Sequence, residues 1–66
     1  MNDKYFIVQY FCWHNGYRMN HSFETFNTEF YQLSEVKAVA DRDTENNKDG
    51  IHGYYITKQE ILELNM

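Results

Sequence analysis

The pair Asn15-Gly16 lies between two runs of strand-forming residues and restricts the fold more than any other feature of the chain. Both central positions of a type I′ turn need positive φ, and Asn-Gly is a pair that accepts this conformation readily. The run before it, 5–14, is rich in aromatic and β-branched residues, and the run after it, 17–26, alternates between apolar and polar residues. The sequence therefore predicts an antiparallel β-hairpin with a two-residue loop.

A two-residue loop also predicts which residues face each other across the hairpin. On the core face we expect four pairs, which are His14 with Tyr17, Cys12 with Met19, Tyr10 with His21 and Val8 with Phe23. On the outer face we expect Trp13 with Arg18, Phe11 with Asn20, Gln9 with Ser22 and Ile7 with Glu24. The second strand is then polar on the outer face, so Ile7, Phe11 and Trp13 form an apolar stripe without apolar partners.

A helix is predicted after the hairpin, with two competing starts. Asn27 or Thr28 could cap a long helix, or Ser34 could cap a shorter one with an apolar stripe of Val36, Val39 and Ala40. We favour the start at Ser34, followed by a polar loop over residues 41–50.

A third strand is predicted at 51–56, and a second helix after it. Thr57 and Glu60 have the spacing of a capping box, which predicts a short C-terminal helix. The expected order is β-β-α-β-α, an α+β fold with a small antiparallel sheet and a helix packed on one face. At 66 residues the chain, 1–66, is expected to form a single domain.

Composition narrows the functional classes. The single cysteine, Cys12, excludes a disulfide within the chain and fits a reducing cytoplasm. No apolar run is long enough to cross a bilayer, so we expect no membrane association. The formal charge is -4, and the basic residues are scattered at Lys4, Arg18, Lys37, Arg42, Lys48 and Lys58. Proteins that bind nucleic acid through its phosphates usually cluster such residues, so nucleic acid is not the expected partner.

The residues that could carry chemistry lack the required spacing. The candidate metal ligands, Cys12, His14, His21 and His52, match no paired zinc pattern, so we expect no metal and no cofactor. Cys12 could pair with His21, but a cysteine in the middle of a strand lacks the exposed electropositive position that a nucleophile needs. We therefore expect no catalytic residues and no enzymatic activity.

Acidic residues are concentrated in the predicted polar loop, at Asp41, Asp43, Glu45 and Asp49. They do not fit a calcium-binding EF-hand, because neither Asp41 nor Asp43 as first position puts glycine at position six and glutamate at position twelve. Two interpretations stay open at this point. The loop is either an ordinary solvated segment or a negative surface that imitates phosphate charge on a basic partner.

Two segments of the sequence resemble small uncharacterised proteins encoded by phages and prophages. These segments are KYFIVQY at 4–10 and YYITKQEIL at 54–62, with a short central helix between them. The resemblance brings no functional residues with it. It implies that the chain is a small acidic protein that binds and blocks a host protein, such as a component of restriction or CRISPR defence.

These observations predict a non-enzymatic protein-binding module, an inhibitor of a host nucleic-acid-processing or defence protein that acts in the host cytoplasm as a homodimer. The expected partner-binding residues are Ile7, Phe11, Trp13, Arg18, Asp41, Asp43 and Glu45. The apolar stripe would serve this purpose only if the C-terminal helix does not cover it through Ile61 and Leu62. The first strand could also pair with a copy of itself if it lies at a sheet edge. The alternative function is a small regulator that stacks single-stranded nucleic acid on Tyr10, Phe11, Trp13 and Tyr17.

Overall fold

Three strands and one helix make up residues 2–62, the part of the chain that the structure, a computed structural model, describes; side chains are described for 4–59. The elements in chain order are β1 (Asn2–His14), β2 (Tyr17–Asn27), α1 (Leu33–Asn46) and β3 (Gly53–Leu62). The strands form one antiparallel sheet in the order β2-β1-β3. The prediction of an α+β fold with a small antiparallel sheet and a helix is confirmed. The prediction that β1 could form a sheet edge is wrong, because β1 is the central strand.

The hairpin forms around the predicted turn. Asn15 and Gly16 both have positive φ, at 51° and 84°, as a two-residue hairpin loop of this kind requires. The predicted pairs nearest the turn are confirmed, and they run outward from His14 with Tyr17 to Phe11 with Asn20.

The pairing of β1 with β2 changes at a β-bulge. Phe11 pairs with Asn20, but Tyr10 pairs with Ser22, so His21 is an extra residue on β2. From there the observed pairs are Tyr10 with Ser22, Gln9 with Phe23, Val8 with Glu24 and Ile7 with Thr25. The four predicted pairs in this half, Tyr10 with His21, Gln9 with Ser22, Val8 with Phe23 and Ile7 with Glu24, are therefore wrong. One extra residue reverses the side on which each later side chain of β2 lies.

The predicted C-terminal helix is wrong over the described residues. Residues 57–62 belong to β3, which pairs with β1 without interruption from Gly53 opposite Phe11 to Leu62 opposite Asn2. The capping-box spacing is a local preference, whereas this pairing satisfies the backbone groups of two strands over ten residues. Ile61 and Leu62 therefore do not form a helix over the outer face of the sheet.

Helix α1 begins close to the favoured start and ends later than predicted. Gln32 precedes the first helical residue, and its backbone N–H donates to Glu35 Oε1 at 3.0 Å, as in the reciprocal half of a capping box. The alternative start at Asn27 or Thr28 is wrong. The helix continues to Asn46, so the predicted loop over 41–50 is helical for its first six residues.

The core lies between α1 and one face of the sheet, called here the helix face. Its buried residues are Val8, Tyr10, Val36, Ala40 and Ile51, with Phe6, Phe26, Tyr54 and Ile56 packed around them. The opposite side of the sheet, called here the open face, has no helix against it in residues 2–62. The sheet thus has a single covering layer, and the core of this short chain is correspondingly thin.

Candidate functional site

The open face is formed by alternate residues of all three strands, because side chains that pair directly across an antiparallel ladder lie on the same side. Its described members are Tyr5, Ile7, Gln9, Phe11, Trp13, Arg18, Asn20, Phe23, Thr25, Asn27, Gly53, Tyr55, Thr57 and Gln59. Three of its large apolar side chains are strongly exposed, namely Trp13 at 54%, Phe23 at 65% and Tyr55 at 41%. This is an aromatic surface on a sheet that buries its other face.

Three of these aromatic side chains form a contiguous cluster, defined here as the aromatic cluster of Phe11, Trp13 and Tyr55. The Phe11 ring packs edge-on against Trp13, with centroids 6.1 Å apart and planes at 83°. It stacks with Tyr55 at 6.4 Å and 30°. Phe11 and Trp13 meet because they are two residues apart on β1, and Tyr55 lies one step along the neighbouring strand. These are the separations at which aromatic rings attract each other.

Gly53 determines how the Phe11 ring lies. Gly53 is the direct partner of Phe11 on β3, and a Cβ atom at this position would lie 2.6 Å from Phe11 Cζ. Real Cβ atoms do not approach another atom so closely, so the ring occupies the space that any other residue would fill. The missing side chain lets Phe11 lie across β3 and reach Tyr55.

Arg18 lies over the aromatic cluster. Its Cζ atom is 5.4 Å from the centroid of Phe11 and 5.5 Å from that of Tyr55, so one guanidinium contacts two rings. Arg18 reaches this position because it is the direct partner of Trp13 across the hairpin. It is also the one charged residue among the members of the open face whose side chains are described.

His52 ties the end of β1 to the start of β3. Its backbone N–H donates to Phe11 O at 2.8 Å, and its ring Nδ1 accepts a hydrogen bond from the backbone N–H of Trp13 at the same distance. The imidazole nitrogen thus accepts a hydrogen bond of the kind that a backbone carbonyl would accept if the β1–β3 ladder continued beyond Phe11 and Gly53. These two bonds hold the backbone of Phe11 and Trp13 and so fix the base of the aromatic cluster.

The expected partner-binding residues fall into two groups. Ile7, Phe11, Trp13 and Arg18 lie together on the open face. Asp41, Asp43 and Glu45 lie on α1, on the other side of the sheet. The expected acidic loop is therefore part of a helix, and it does not form one continuous surface with the apolar stripe.

The three acidic residues of α1 that were expected to bind a partner already have partners within the chain. Asp41 Oδ1 accepts a hydrogen bond from the Tyr54 hydroxyl at 2.5 Å, and Asp43 Oδ2 accepts one from the Tyr10 hydroxyl at 3.1 Å. Glu45 forms an exposed ion pair with Lys48 at 2.7 Å. The bond to Asp41 is the main reason that the pKa of Tyr54 is raised to about 12. Two of these acids thus fasten the helix to tyrosines of the sheet.

A pair of carboxyl groups meets beneath the helix because of the bulge. Glu24 lies on the helix face, where its Oε1 is 3.4 Å from the Tyr10 hydroxyl that also donates to Asp43. Burial, the hydrogen bond to Asp43 and the negative charge of Asp43 raise the pKa of Glu24 above its ordinary value, and the hydrogen bond from Tyr10 and the charge of Arg42 partly oppose this. Burial is also the largest cause of a raised pKa for Tyr10. The arrangement links β1, β2 and α1 through polar groups at the margin of the core.

The sulfur and imidazole side chains are not arranged as a metal site. His21 Nδ1 is 2.9 Å from Ser22 Oγ, and His52 is engaged with the backbone of Trp13. Within the described part of the chain, no three His, Cys, Asp or Glu residues are grouped so that they could hold a metal ion. The described helix is also too short and too polar to span a membrane.

Sequence reasoning misses three residues of this surface, which are Phe23, Gly53 and Tyr55. The turn alone places Phe23 in the core, and the bulge that moves it has no glycine or proline to mark it. Tyr55 and Gly53 alternate with Tyr54 and Ile56, and this period-two pattern signals two faces but not which of them the helix covers. No protein-family model, curated protein sequence or solved structure matches the chain.

Proposed function

We propose that the chain is a non-enzymatic protein-binding module that docks on its partner through the open face. In keeping with the phage resemblance, the partner is a host protein of nucleic-acid processing or defence, which the chain inhibits in the host cytoplasm. The observation that carries the proposal is the aromatic cluster of Phe11, Trp13 and Tyr55, which lies on a sheet face without a covering element in the described residues.

Such a surface has the composition that protein interfaces favour. Contiguous exposed apolar area with polar neighbours is typical of binding sites, and tryptophan, tyrosine and arginine contribute most often to binding energy. Trp13, Tyr55 and Arg18 supply all three types within one cluster.

The cluster is also held in place before a partner arrives. Ring contacts, the space above Gly53 and the two hydrogen bonds of His52 restrict Phe11 and Trp13. Side chains that are ordered in advance lose less conformational entropy on binding, which favours affinity. This supports a surface built to bind rather than one that is exposed by chance.

The test compares two aromatic substitutions on the same hairpin. Trp13→Ala removes part of the aromatic cluster, and Tyr17→Ala removes a side chain that is 76% exposed but lies on the opposite side of the sheet. Host lysate is passed over the wild-type chain and both variants, and bound proteins are identified by mass spectrometry. We expect a host protein that the wild type and Tyr17→Ala retain and that folded Trp13→Ala loses. Equal retention by all three would rule out the open face as the docking site.

The homodimer is part of this proposal, and the outer edge of β3 is the surface that suits it. An unpaired strand edge can pair with the same edge of a second copy. The described part of β3 pairs with β1 without a bulge, whereas β2 carries the bulge at His21, which disturbs an edge. A dimer formed through β3 would leave both open faces free for the host protein.

Light scattering tests the dimer and its location together. We expect a mass twice the 8.1 kDa of one chain, both for the wild type and for Trp13→Ala. A Trp13→Ala protein that is monomeric beside a dimeric wild type would instead place the second copy on the open face. A monomeric wild type would remove the dimer from the proposal.

A regulator that binds single-stranded nucleic acid is the second candidate, and one observation favours it. Among the members of the open face whose side chains are described, Arg18 is the one charged residue, and Asp3, on the same side of β1, lies ten residues along the strand from Trp13. Tyr10 is buried and Tyr17 lies on the other side, so bases would stack on the aromatic cluster. Titration with an oligothymidylate at about 50 mM salt, followed by Trp13 fluorescence, tests this function. An unchanged signal would exclude it.

A further inference from the structure

We propose that the open face recognises a protein segment that presents one carboxylate among apolar side chains, and that Arg18 binds this carboxylate. The inference rests on the proposed function and names the chemistry of its partner. Arg18 then supplies the charged contact of a surface whose other described side chains are aromatic, aliphatic or neutral and polar.

The position of the Arg18 guanidinium prepares it for an anion. Its Cζ atom lies at nearly equal distances from the Phe11 and Tyr55 rings, which restrict it from below. A guanidinium carries five N–H donors around the edge of a plane, and two of them match the two oxygens of a carboxylate. The described hydrogen bonds and ion pairs do not include an N–H group of the Arg18 side chain, so its donors stay available to a second molecule.

The described side chains near Arg18 on the open face do not supply this anion. Among the open-face residues whose side chains are described, none is Asp or Glu, and Asp3, on the same side of β1, lies ten residues along the strand from Trp13, the partner of Arg18. The described ion pairs join Arg42 with Asp43 and Lys48 with Glu45 on the helix side. Glu24, which the turn alone predicts beside Ile7 on the outer face, lies beneath the helix because of the bulge. The same extra residue therefore removes the one acid that the predicted pairing would have put on the surface of Arg18.

The number of charges favours a protein carboxylate over a nucleic-acid backbone. Strong binding of a nucleic-acid strand requires several cations that neutralise successive phosphates. The side chains described on the open face include one cation, and exposed apolar side chains such as Trp13 and Phe23 lie on the same face. One anionic side chain with apolar neighbours complements such a surface, whereas a row of phosphates does not.

Selection from a displayed library of random twelve-residue peptides, with the full chain immobilised, tests the inference and does not require an identified partner. We expect the selected peptides to carry a single Asp or Glu next to aromatic or aliphatic residues. Their binding should change the fluorescence of Trp13 and should be lost in Trp13→Ala.

The role of Arg18 is measured on the best peptide and on its matched form with Gln or Asn in place of the acid. Loss of a charge-assisted hydrogen bond weakens binding by about 10- to 100-fold, so we expect this loss for Arg18→Ala and for the neutral peptide. The two changes together should cost no more than either alone, because they remove the same contact. Arg18→Lys, which keeps the charge but not the planar fork, should fall between these values. Circular dichroism confirms that each variant is folded.

The alternative results separate this inference from the proposed function. Peptides that bind at Trp13 without preference for an acid would overturn the role of Arg18 and leave the docking face intact. Failure to select any peptide that depends on Trp13 would overturn both. Oligothymidylate that binds more tightly than the selected peptides, with the same dependence on Arg18, would replace the protein carboxylate by phosphate.

Discussion

The two faces of β1 carry equally apolar side chains but have different surroundings. On the helix face, Val8 and Tyr10 are almost completely buried by α1 and by neighbours from β2 and β3. On the open face, Phe11 is only partly covered and Trp13 is half exposed. Hydrophobicity along one strand therefore does not identify the core of this domain. The core is the face on which the other elements also place apolar residues, such as Phe26, Val36 and Ile56.

The largest expected effect comes from placing a charge on each of the two faces. Val8→Asp buries a carboxylate where the wild-type side chain is 0% exposed, at a cost of several kcal/mol. The core of a chain of this size rarely supplies more than about 3–5 kcal/mol of stability, so we expect the variant to be unfolded. Thr25→Asp puts the same charge on an exposed position of the open face and should stay folded. Thermal unfolding followed by circular dichroism compares the two. A folded Val8→Asp protein would show that the helix face is not the core.

A smaller effect is expected when the hydroxyl groups that connect the sheet to α1 are removed. Tyr10→Phe takes away the donor shared by Asp43 and Glu24 and leaves two carboxyl groups close together, which should cost about 1–2 kcal/mol. Tyr54→Phe takes away the bond to the exposed Asp41 and should cost about 0.5 kcal/mol. Urea unfolding measures both. A larger loss of stability for Tyr54→Phe than for Tyr10→Phe would mean that the bond to Asp41 holds the helix on the sheet more firmly than the contacts of the Tyr10 hydroxyl do.

The stability of the protein should also depend on pH through Glu24, which lies on the helix face. Because the pKa of Glu24 is raised in the folded state above its ordinary value of 4.5, the unfolded chain loses this proton first as the pH rises. Glu24 therefore contributes stability at low pH that is lost as the pH increases through its folded-state pKa. Glu24→Gln should reduce the fall in stability above pH 4.5, whereas Glu45→Gln, at an exposed ion pair, should not. Urea unfolding at a series of pH values provides the measurement, and an unchanged slope in Glu24→Gln would contradict the assignment.

The smallest expected effect separates the predicted pairing from the observed one most clearly. Phe23→Ala changes a side chain that is 65% exposed on the open face, so its stability should lie within about 0.5 kcal/mol of wild type. If Phe23 faced Val8 in the core, as the turn alone predicts, the same substitution would cost about 3–5 kcal/mol. Urea unfolding distinguishes these values. A loss of the larger size would disprove the bulge at His21.

The features that sequence reasoning recovers are those with a local cause. Asn15-Gly16 specifies its turn through backbone conformation, and the pairs next to the turn follow from it. The helix start lies within two residues of Ser34 because polar capping residues precede the apolar stripe. The sequence also predicts that Ile7, Phe11, Trp13 and Arg18 lie outside the core. Ile7, Phe11 and Trp13 occupy odd positions of β1, and Arg18 pairs with Trp13 between the turn and the bulge.

The features that it misses depend on distant parts of the chain. Nothing in the residues around His21 marks a bulge, which is favoured because it turns Phe26 toward the helix face. The end of β3 has helix-capping spacing, but β1 offers it a full ladder, and pairing outweighs the local preference. The acidic start of the predicted loop remains helical in part because Asp41 and Asp43 reach tyrosines of the sheet. Each of these outcomes requires the tertiary contacts that the sequence pattern does not contain.

The extra residue at position 21 has a consequence for how the chain tolerates change. In β2, odd positions before residue 21 and even positions after it project to the same side. When each residue of β2 is substituted in turn, the positions at which stability is most sensitive should therefore be odd-numbered before residue 21 and even-numbered after it. Deletion of the extra residue would join Asn20 directly to Ser22 and leave every other side chain of β2 opposite its present partner, so this point of the strand can lose one residue without exchanging its two faces.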